Sequence, residues 1–263
     1  MDTRSVEATR DQGRVTGEGW EVIAGRWQDS PPEAVDHVIS DPPFDDRTSL
    51  GARSGVSRSA AARKANGSAV LSRPTITSFM GIDPGDLVPG LLEVARRWVI
   101  CFCAAEQLGS YQTAAGDRWI RAGAWVKTNP TPQFTGDRPA VWGESIAIMH
   151  PKGRKRWNRG GHAGLWSGPT TQAGGHRLRV HETQKPLWLM RELVEAFTDP
   201  GDLVWDPYGG SMTTGVACLQ LGRRFIGHEA QGRYAEIGIE RLQAEAQGLT
   251  LRAARAGQLP LFT

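Results

Sequence analysis

Apolar and polar positions along this chain follow two rhythms, short near-continuous apolar runs and longer stretches of helical period. The runs "GWEVIAG" (19–25) and "AVDHVIS" (34–40) predict strands, the second ending at Asp41. "WVICFCA" (98–104) is apolar throughout, as expected of a strand buried on both faces of a parallel sheet. "PGDLVPGLLEVARRW" and "EQLGSYQTAAGDRW" predict helices on either side of it. Strands follow in "IRAGAWVKTNP" and "AVWGESIAIMHPKG", around the turn-rich "PTPQFTGDRP". "KPLWLMRELVEAFTDPG" has an amphipathic helical period and is stopped by Asp-Pro-Gly. The strand "LVWD", a glycine-rich turn, the helix "TTGVACLQLG", the strand "RFIGHE" and the helix "RYAEIGIERLQAEA" then form one βαβα run. Three stretches break the rhythm. Residues 1–18 read as a frayed polar lead, 45–78 as a long mobile segment, and 151–180 as an irregular basic region. The closing "GQLPLFT" reads as a loose end or an apolar strap.

A chain of 263 residues supports one α/β core with a small insertion. Its first residues carry no apolar run of the secretory kind, and no run reaches the length of a membrane span. Cys101, Cys103 and Cys218 all sit in apolar settings. They read as buried free thiols in a reducing, cytoplasmic compartment, without the spacing of a metal site. The net charge is only +3, but it is unevenly spread. Six basic residues and no acid lie between Arg47 and Arg73, among them Arg53, Arg58, Arg63 and Lys64. A second cluster places Lys152, Arg154, Lys155, Arg156 and Arg159 within eight positions, around Trp157. Two such clusters suit a phosphate backbone and predict double-stranded DNA as the partner, with Lys127 as a further contact.

Two corners carry candidate chemistry. In "HVISDPPFDD" the strand meets Asp41, Pro42, Pro43 and Phe44, where paired prolines end sheet pairing and fix a rigid bend. The Asp41 carboxylate and the Pro42 carbonyl can accept from an exocyclic amine, and the Phe44 ring can stack on the base that bears it. The second corner is "DPYGGSMTT". Asp206 ends a strand, Pro207 and Tyr208 lead into Gly209 and Gly210, and Ser211, Thr213 and Thr214 open a helix. Glu229 ends the next strand, where an acid can accept from two ribose hydroxyls. Two acids disfavour a diphosphate and fit a nucleoside with a cationic tail, the character of S-adenosylmethionine.

These corners carry a family likeness. "DPPF" resembles the D-P-P-[YF] motif of the amino-methylating DNA methyltransferases, "DPYGGSMTTGVA" their cofactor motif, and "HETQKP" (181–186) their H-P-T-Q-K-P element. The order resembles the circularly permuted "beta" group of phage and bacterial enzymes. The likeness implies a Rossmann-like fold, with a mostly parallel seven-stranded sheet, helices on both faces and a small basic recognition insertion. It implies a catalytic half at 19–150, recognition at 151–180 and a cofactor half at 181–263. It also implies methyl transfer to the N6 amine of a flipped adenine. Asp41, Pro42, Pro43 and Phe44 would surround the amine, and Asp206, Gly210, Thr213 and Glu229 would hold the cofactor, with Thr183, Gln184 and Lys185 near its amino-acid tail.

The sequence departs from the pattern in places. Met212 replaces a glycine, and Arg26 follows Gly25 where the family has an acid, leaving Trp27 or Asp29 to meet the adenine of the cofactor. Two alternatives stay open: cytosine N4 as the acceptor, and a relic that binds DNA without catalysis. A homodimer is allowed.

Overall fold

The computed structural model describes residues 8–11, 13–44, 81–133, 136–170 and 184–258. Arg53, Arg58, Arg63, Lys64 and Thr183, with the whole of the segment 45–78, lie outside the described residues.

The ten described strands are β1 (Thr9–Asp11), β2 (Arg14–Gly17), β3 (Trp20–Ala24), β4 (His37–Ser40), β5 (Val99–Cys103), β6 (Trp119–Lys127), β7 (Gly143–Met149), β8 (Leu165–Gly168), β9 (Leu203–Asp206) and β10 (Arg224–Glu229). They form one sheet in the order β1-β2-β3-β10-β9-β4-β5-β7-β6-β8. From β3 to β5 every neighbour is parallel. β7 runs antiparallel to both β5 and β6. The seven expected strands are present and three more flank them. The polar lead forms the hairpin β1–β2 on one edge, where β1 pairs with β2 and β2 in turn with β3, burying Val15. The irregular basic region contributes β8, parallel to β6, at the other edge.

The helices are α1 (Pro84–Val94), α2 (Leu108–Ala115), α3 (Leu187–Phe197), α4 (Thr213–Gln220), α5 (Gly232–Ala246) and α6 (Leu251–Arg255). Asp83 caps α1 by accepting from the Gly85 N–H at 2.7 Å, and Pro84 fits the first turn, where no intrahelical donor is needed. α1 and α2 cover one sheet face with Val38, Val99, Cys101, Cys103, Met149 and Trp205. α3, α4 and α5 cover the other with Ile39, Ile100, Phe102, Trp125, Ile146 and Phe225. Strand period two sends alternate residues to the two layers, so both faces of the central strands are apolar. Cys101, Cys103 and Cys218 are buried free thiols, and burial pushes Cys103 up to about 12. No described helix is long and apolar enough to cross a membrane.

Candidate active site

The parallel strands β4, β9 and β10 lie side by side and end together, so their carboxyl ends bring Asp41, Asp206 and Glu229 to one edge of the sheet. Ser40 donates from Oγ to Asp206 Oδ1 at 2.7 Å, which ties the Asp-Pro-Pro-Phe corner directly to the glycine-rich corner.

Asp206 is buried and its oxygens are engaged within the chain. Besides Ser40, Thr214 donates from Oγ1 to Oδ2 at 2.6 Å, and the Tyr208 N–H donates to Oδ1 at 3.1 Å. Burial raises its carboxyl to about 6 in spite of these donors. Asp206 therefore braces the turn. Ser211 and Thr213 are likewise held from behind, since Arg241 of α5 donates to the Ser211 carbonyl and reaches Ser211 Oγ and Thr213 Oγ1, each at 3.0 Å. Burial lowers this guanidinium to about 10. Nothing in the motif pointed to Arg241; the signal was an arginine on the apolar stripe of a helix, near Gly238 and Leu242.

Glu229 accepts from the Gly210 N–H at 2.9 Å and the Gln231 N–H at 2.8 Å. Burial holds its carboxyl up, and the two N–H donors oppose that. A carboxylate has about four acceptor positions, so two remain for a diol. Gly210 has φ 53°, and among the described residues a side-chain carbon placed there would meet nothing within 4 Å. Open space thus lies beside a half-engaged carboxylate, which suits the ribose of a nucleoside cofactor.

Met212 occupies the left-handed region, with φ 56° and ψ 39°, and is fully buried. Its side chain turns into the core, where Gly209, Gly227 and Gly238 make room. A carbon added at these glycines would come within 2.4–2.5 Å of Met212 Sδ or Cγ. The methionine fills a socket of glycines behind the turn, away from the open space beside Gly210.

Trp27 corrects an expectation. It is buried, packs edge-on against Trp205 at 5.6 Å, and donates from Nε1 to Tyr208 Oη at 2.8 Å. Its ring belongs to the core and props Tyr208, so it offers no stacking face to a cofactor. Arg26 and Asp29 are exposed.

At the Asp-Pro-Pro-Phe corner Pro42 is buried, and Asp41, Pro43 and Phe44 are half-buried. The Pro43 carbonyl accepts from the Ile82 N–H at 3.4 Å, so the chain that leaves after Phe44 returns beside its own start. Lys185 Nζ lies 2.5 Å from Asp41 Oδ2 and 2.9 Å from Glu144 Oε2. It also lies 4.8 Å from the Phe102 ring centre and 5.5 Å from that of Phe44. Lys127 closes the series, 2.8 Å from Glu144 Oε1. Lys185 is held charged between two carboxylates, and Glu144 is held low by the two lysines against its burial. Asp41 is pushed up by burial and by the Glu144 charge, against the pull of Lys185. Sequence reasoning missed Glu144, whose signal was a lone acid in the apolar "GESIAIM". Gln184 is half-buried next to Lys185.

The second basic cluster is a clear correction. β7 carries Glu144 near its start and Met149 at its end, about 17 Å away at strand spacing. Residues 150–159 therefore begin at the sheet end opposite Asp41. There Lys152 pairs with Asp117 at 3.0 Å, Arg156 with Asp199 at 3.1 Å and Arg159 with Glu192 at 3.0 Å. Trp157 packs on Phe197 at 4.9 Å, and the Arg156 carbonyl accepts from Trp98 Nε1 at 2.6 Å. Arg154 and Lys155 are exposed on the same loop. Three of the five charges serve the chain's own acids, and the tryptophan serves its core. His150 is buried edge-on to Trp98 at 4.7 Å. On the Asp41 side, by contrast, Val141 and Trp142 are exposed immediately before Gly143 and Glu144.

Residues 118–240 match the family model described as DNA methylase, covering the N6 and N4 enzymes. The match covers just under half of the chain. Among curated DNA methylases, the type II methyltransferase M2.DpnII of Streptococcus pneumoniae is 36% identical over 133 residues, 46% of this chain and 50% of that protein. The DNA adenine methyltransferase YhdJ of Escherichia coli K12 is 38% identical over 78 residues, 30% of this chain and 26% of YhdJ. The chain thus spans half or less of the length of these relatives. The M1.HpyAVI–SAM complex superposes with a TM-score of 0.60 at 20% identity, over 85% of this chain and 99% of that one. The cytosine-N4-specific PvuII methyltransferase superposes with a TM-score of 0.58 at 14% identity, over 90% of each chain. These likenesses show a Rossmann-like methyltransferase fold.

Proposed function

We propose that this chain transfers a methyl group from S-adenosylmethionine to the N6 amine of adenine in double-stranded DNA. The observation that carries the reading is the junction of the two corners, where an amine-accepting carboxylate and a nucleoside-fitting carboxylate end neighbouring parallel strands. The family match supports DNA methylation, and a relative named as an adenine methyltransferase supports the base. Glu229 and the backbone of Gly209 and Gly210 would hold the cofactor, supported by Asp206, Ser211, Thr213 and Arg241. Bound there, the cofactor supplies an electrophilic methyl group. Asp41 accepts from the exocyclic amine of a flipped base, which concentrates the lone pair on nitrogen without full deprotonation. Phe44 gives the base an apolar ring to rest on. The proton leaves once the nitrogen has become cationic, and Asp41 is the carboxylate at hand to take it.

The DNA face in this reading is the Asp41 end of the sheet, from which the connections 45–80, 128–142 and 169–183 arise. Trp142 is an exposed ring on that side, suited to a disrupted base stack.

The test is incubation with cofactor and adenine-containing duplex DNA, followed by nucleoside mass spectrometry. N6-methyladenine is expected from the wild type and at least about 100-fold less from Asp41→Ala, with cofactor affinity little changed. N4-methylcytosine as the only product would overturn the choice of base. No product from protein that binds DNA would identify a relic.

A further inference from the structure

The lysine beside Asp41 stands where an incoming amine has to bind. Lys185 Nζ takes Asp41 Oδ2 at 2.5 Å and lies over the rings of Phe102 and Phe44. An ammonium with a carboxylate on one side and aromatic faces nearby resembles, in charge and surroundings, the cationic amine that methyl transfer creates. Were Lys185 fixed there, it would compete with the base for the carboxylate that the reaction needs.

A second seat lies within reach. Glu144 Oε2 is 2.9 Å from Lys185 Nζ and has no aligned hydrogen-bond donor among the described residues, so this buried oxygen keeps acceptor capacity. Lys127 engages the other oxygen, Oε1, at 2.8 Å and leaves Oε2 facing Lys185. Lys127, Glu144, Lys185 and Asp41 alternate in sign and are neutral as a set. Turning the ammonium from one carboxylate to the other therefore moves no net charge into the protein.

We propose that Lys185 is a placeholder for the target amine, and that Glu144 is the seat to which it withdraws when a base enters. Both are positioning residues. The inference rests on the methyl-transfer reading above. It assigns to Lys185 a place against the amine, where the family likeness implied only the cofactor tail.

The proposal makes a signed prediction about Asp41, which must be ionised to accept from the amine. Lys185 favours that ionisation and Glu144 opposes it. The remaining facing groups are Lys127 on β6, Cys101 and Cys103 on β5, Tyr111 on α2 and Asp206 on β9. None of these is changed by the two substitutions below. Lys185→Met removes the cation, so the carboxyl of Asp41 titrates at higher pH and the acid limb of the single-turnover rate moves up. Glu144→Gln removes an anion at nearly constant shape, so the limb moves down. Glu144→Gln also strands Lys185 on Asp41. The KM for DNA should then rise about tenfold, the lower end of a charge-assisted hydrogen bond, while the Kd for cofactor changes less than about threefold.

Carbon-13 NMR of labelled aspartate carboxyls in the free protein reads the titration without cofactor or DNA. Assignment of the Asp41 signal comes from its loss in Asp41→Asn. Opposite displacements in the two variants, with the KM effect confined to DNA, would support the swap. Displacements of the same sign, or a Glu144→Gln enzyme with wild-type KM for DNA, would overturn it. If Lys185→Met fails to fold, the near-isosteric Glu144→Gln still decides, since its downward displacement and KM effect are each required. Wild-type protein that shows these titrations but transfers no methyl would instead refute the methyl-transfer reading.

Discussion

Replacing Met212 by glycine tests how the glycine-rich turn is held. The substitution has two opposed effects. Met212 holds a left-handed conformation, which costs an L-residue about 1–2 kcal/mol and glycine nothing. The same change empties a fully buried socket, where truncating a methionine to alanine typically costs about 2–5 kcal/mol. Three of the surrounding positions are glycines with no side chains to repack into the space. The net is a loss of about 1–3 kcal/mol, or roughly 2–4 °C of Tm for each kcal/mol in a chain of this size. Gly238→Ala tests the reasoning from the other side. Alone, its new carbon would lie 2.4 Å from Met212 Cγ, and overpacking of this kind costs about 1–3 kcal/mol. With Met212→Gly already in place, the carbon would meet the Gly210 carbonyl oxygen at 3.5 Å, and the helix gains up to about 1 kcal/mol in propensity. Urea denaturation of the four proteins should therefore show Gly238→Ala changing sign between backgrounds, a coupling of about 2–4 kcal/mol. Additivity within about 0.5 kcal/mol would refute the socket. Calorimetry should find cofactor affinity in the folded Met212→Gly protein equal or tighter, since the methionine points away from the open space beside Gly210.

Further expectations follow from the same geometry. Glu229→Ala should weaken S-adenosylmethionine about 10- to 100-fold by calorimetry, and equal affinity would mean that another acid meets the ribose. Arg154→Ala with Lys155→Ala should leave the salt dependence of DNA binding unchanged, because that loop lies on the end of the sheet away from Asp41. Trp142→Ala should weaken binding, which fluorescence anisotropy on labelled duplex would measure. Asp206 titrates near 6 when folded and near 3.9 when unfolded, so its protonated form favours the native state fully below about pH 4. That contribution, at most about 3 kcal/mol, is lost as pH rises from 4 to 6. Urea midpoints of wild type relative to Asp206→Asn should therefore fall over that interval.

What the sequence revealed followed what local chemistry controls. Strand-length apolar runs, the Pro-Pro corner and the βαβα run carry their geometry in adjacent residues, so β4, β5, β9, β10 and the helices between them were legible. The β1–β2 hairpin was not, because "TRD" is exposed and "RVTG" buries only Val15, so neither has an apolar signature and both gain order from joining the sheet edge at β3. Lys185 was visible only as part of a motif, and its contact with Asp41 depends on the sheet bringing two distant segments together. The basic cluster at 152–159 misled because composition counts charges without their partners. Asp117, Asp199 and Glu192 neutralise three of the five from other elements. Trp157 misled for the same reason, its ring being needed by Phe197 and Trp166.

The interleaving of the sheet also bears on when activity can begin during synthesis. β10 is inserted between β3 and β9, with Phe225 opposite Trp20, and carries Glu229 at its end. A ribosome that has already delivered Asp41, Phe44 and Glu144 has produced no nucleoside pocket, because the strand that completes it is still untranslated. At about 5–20 residues per second, many seconds separate the two corners. On the methyl-transfer reading, a nascent chain therefore has no complete site until Gly232 and the start of α5 have been added, and contacts so distant along the chain predict slow folding thereafter.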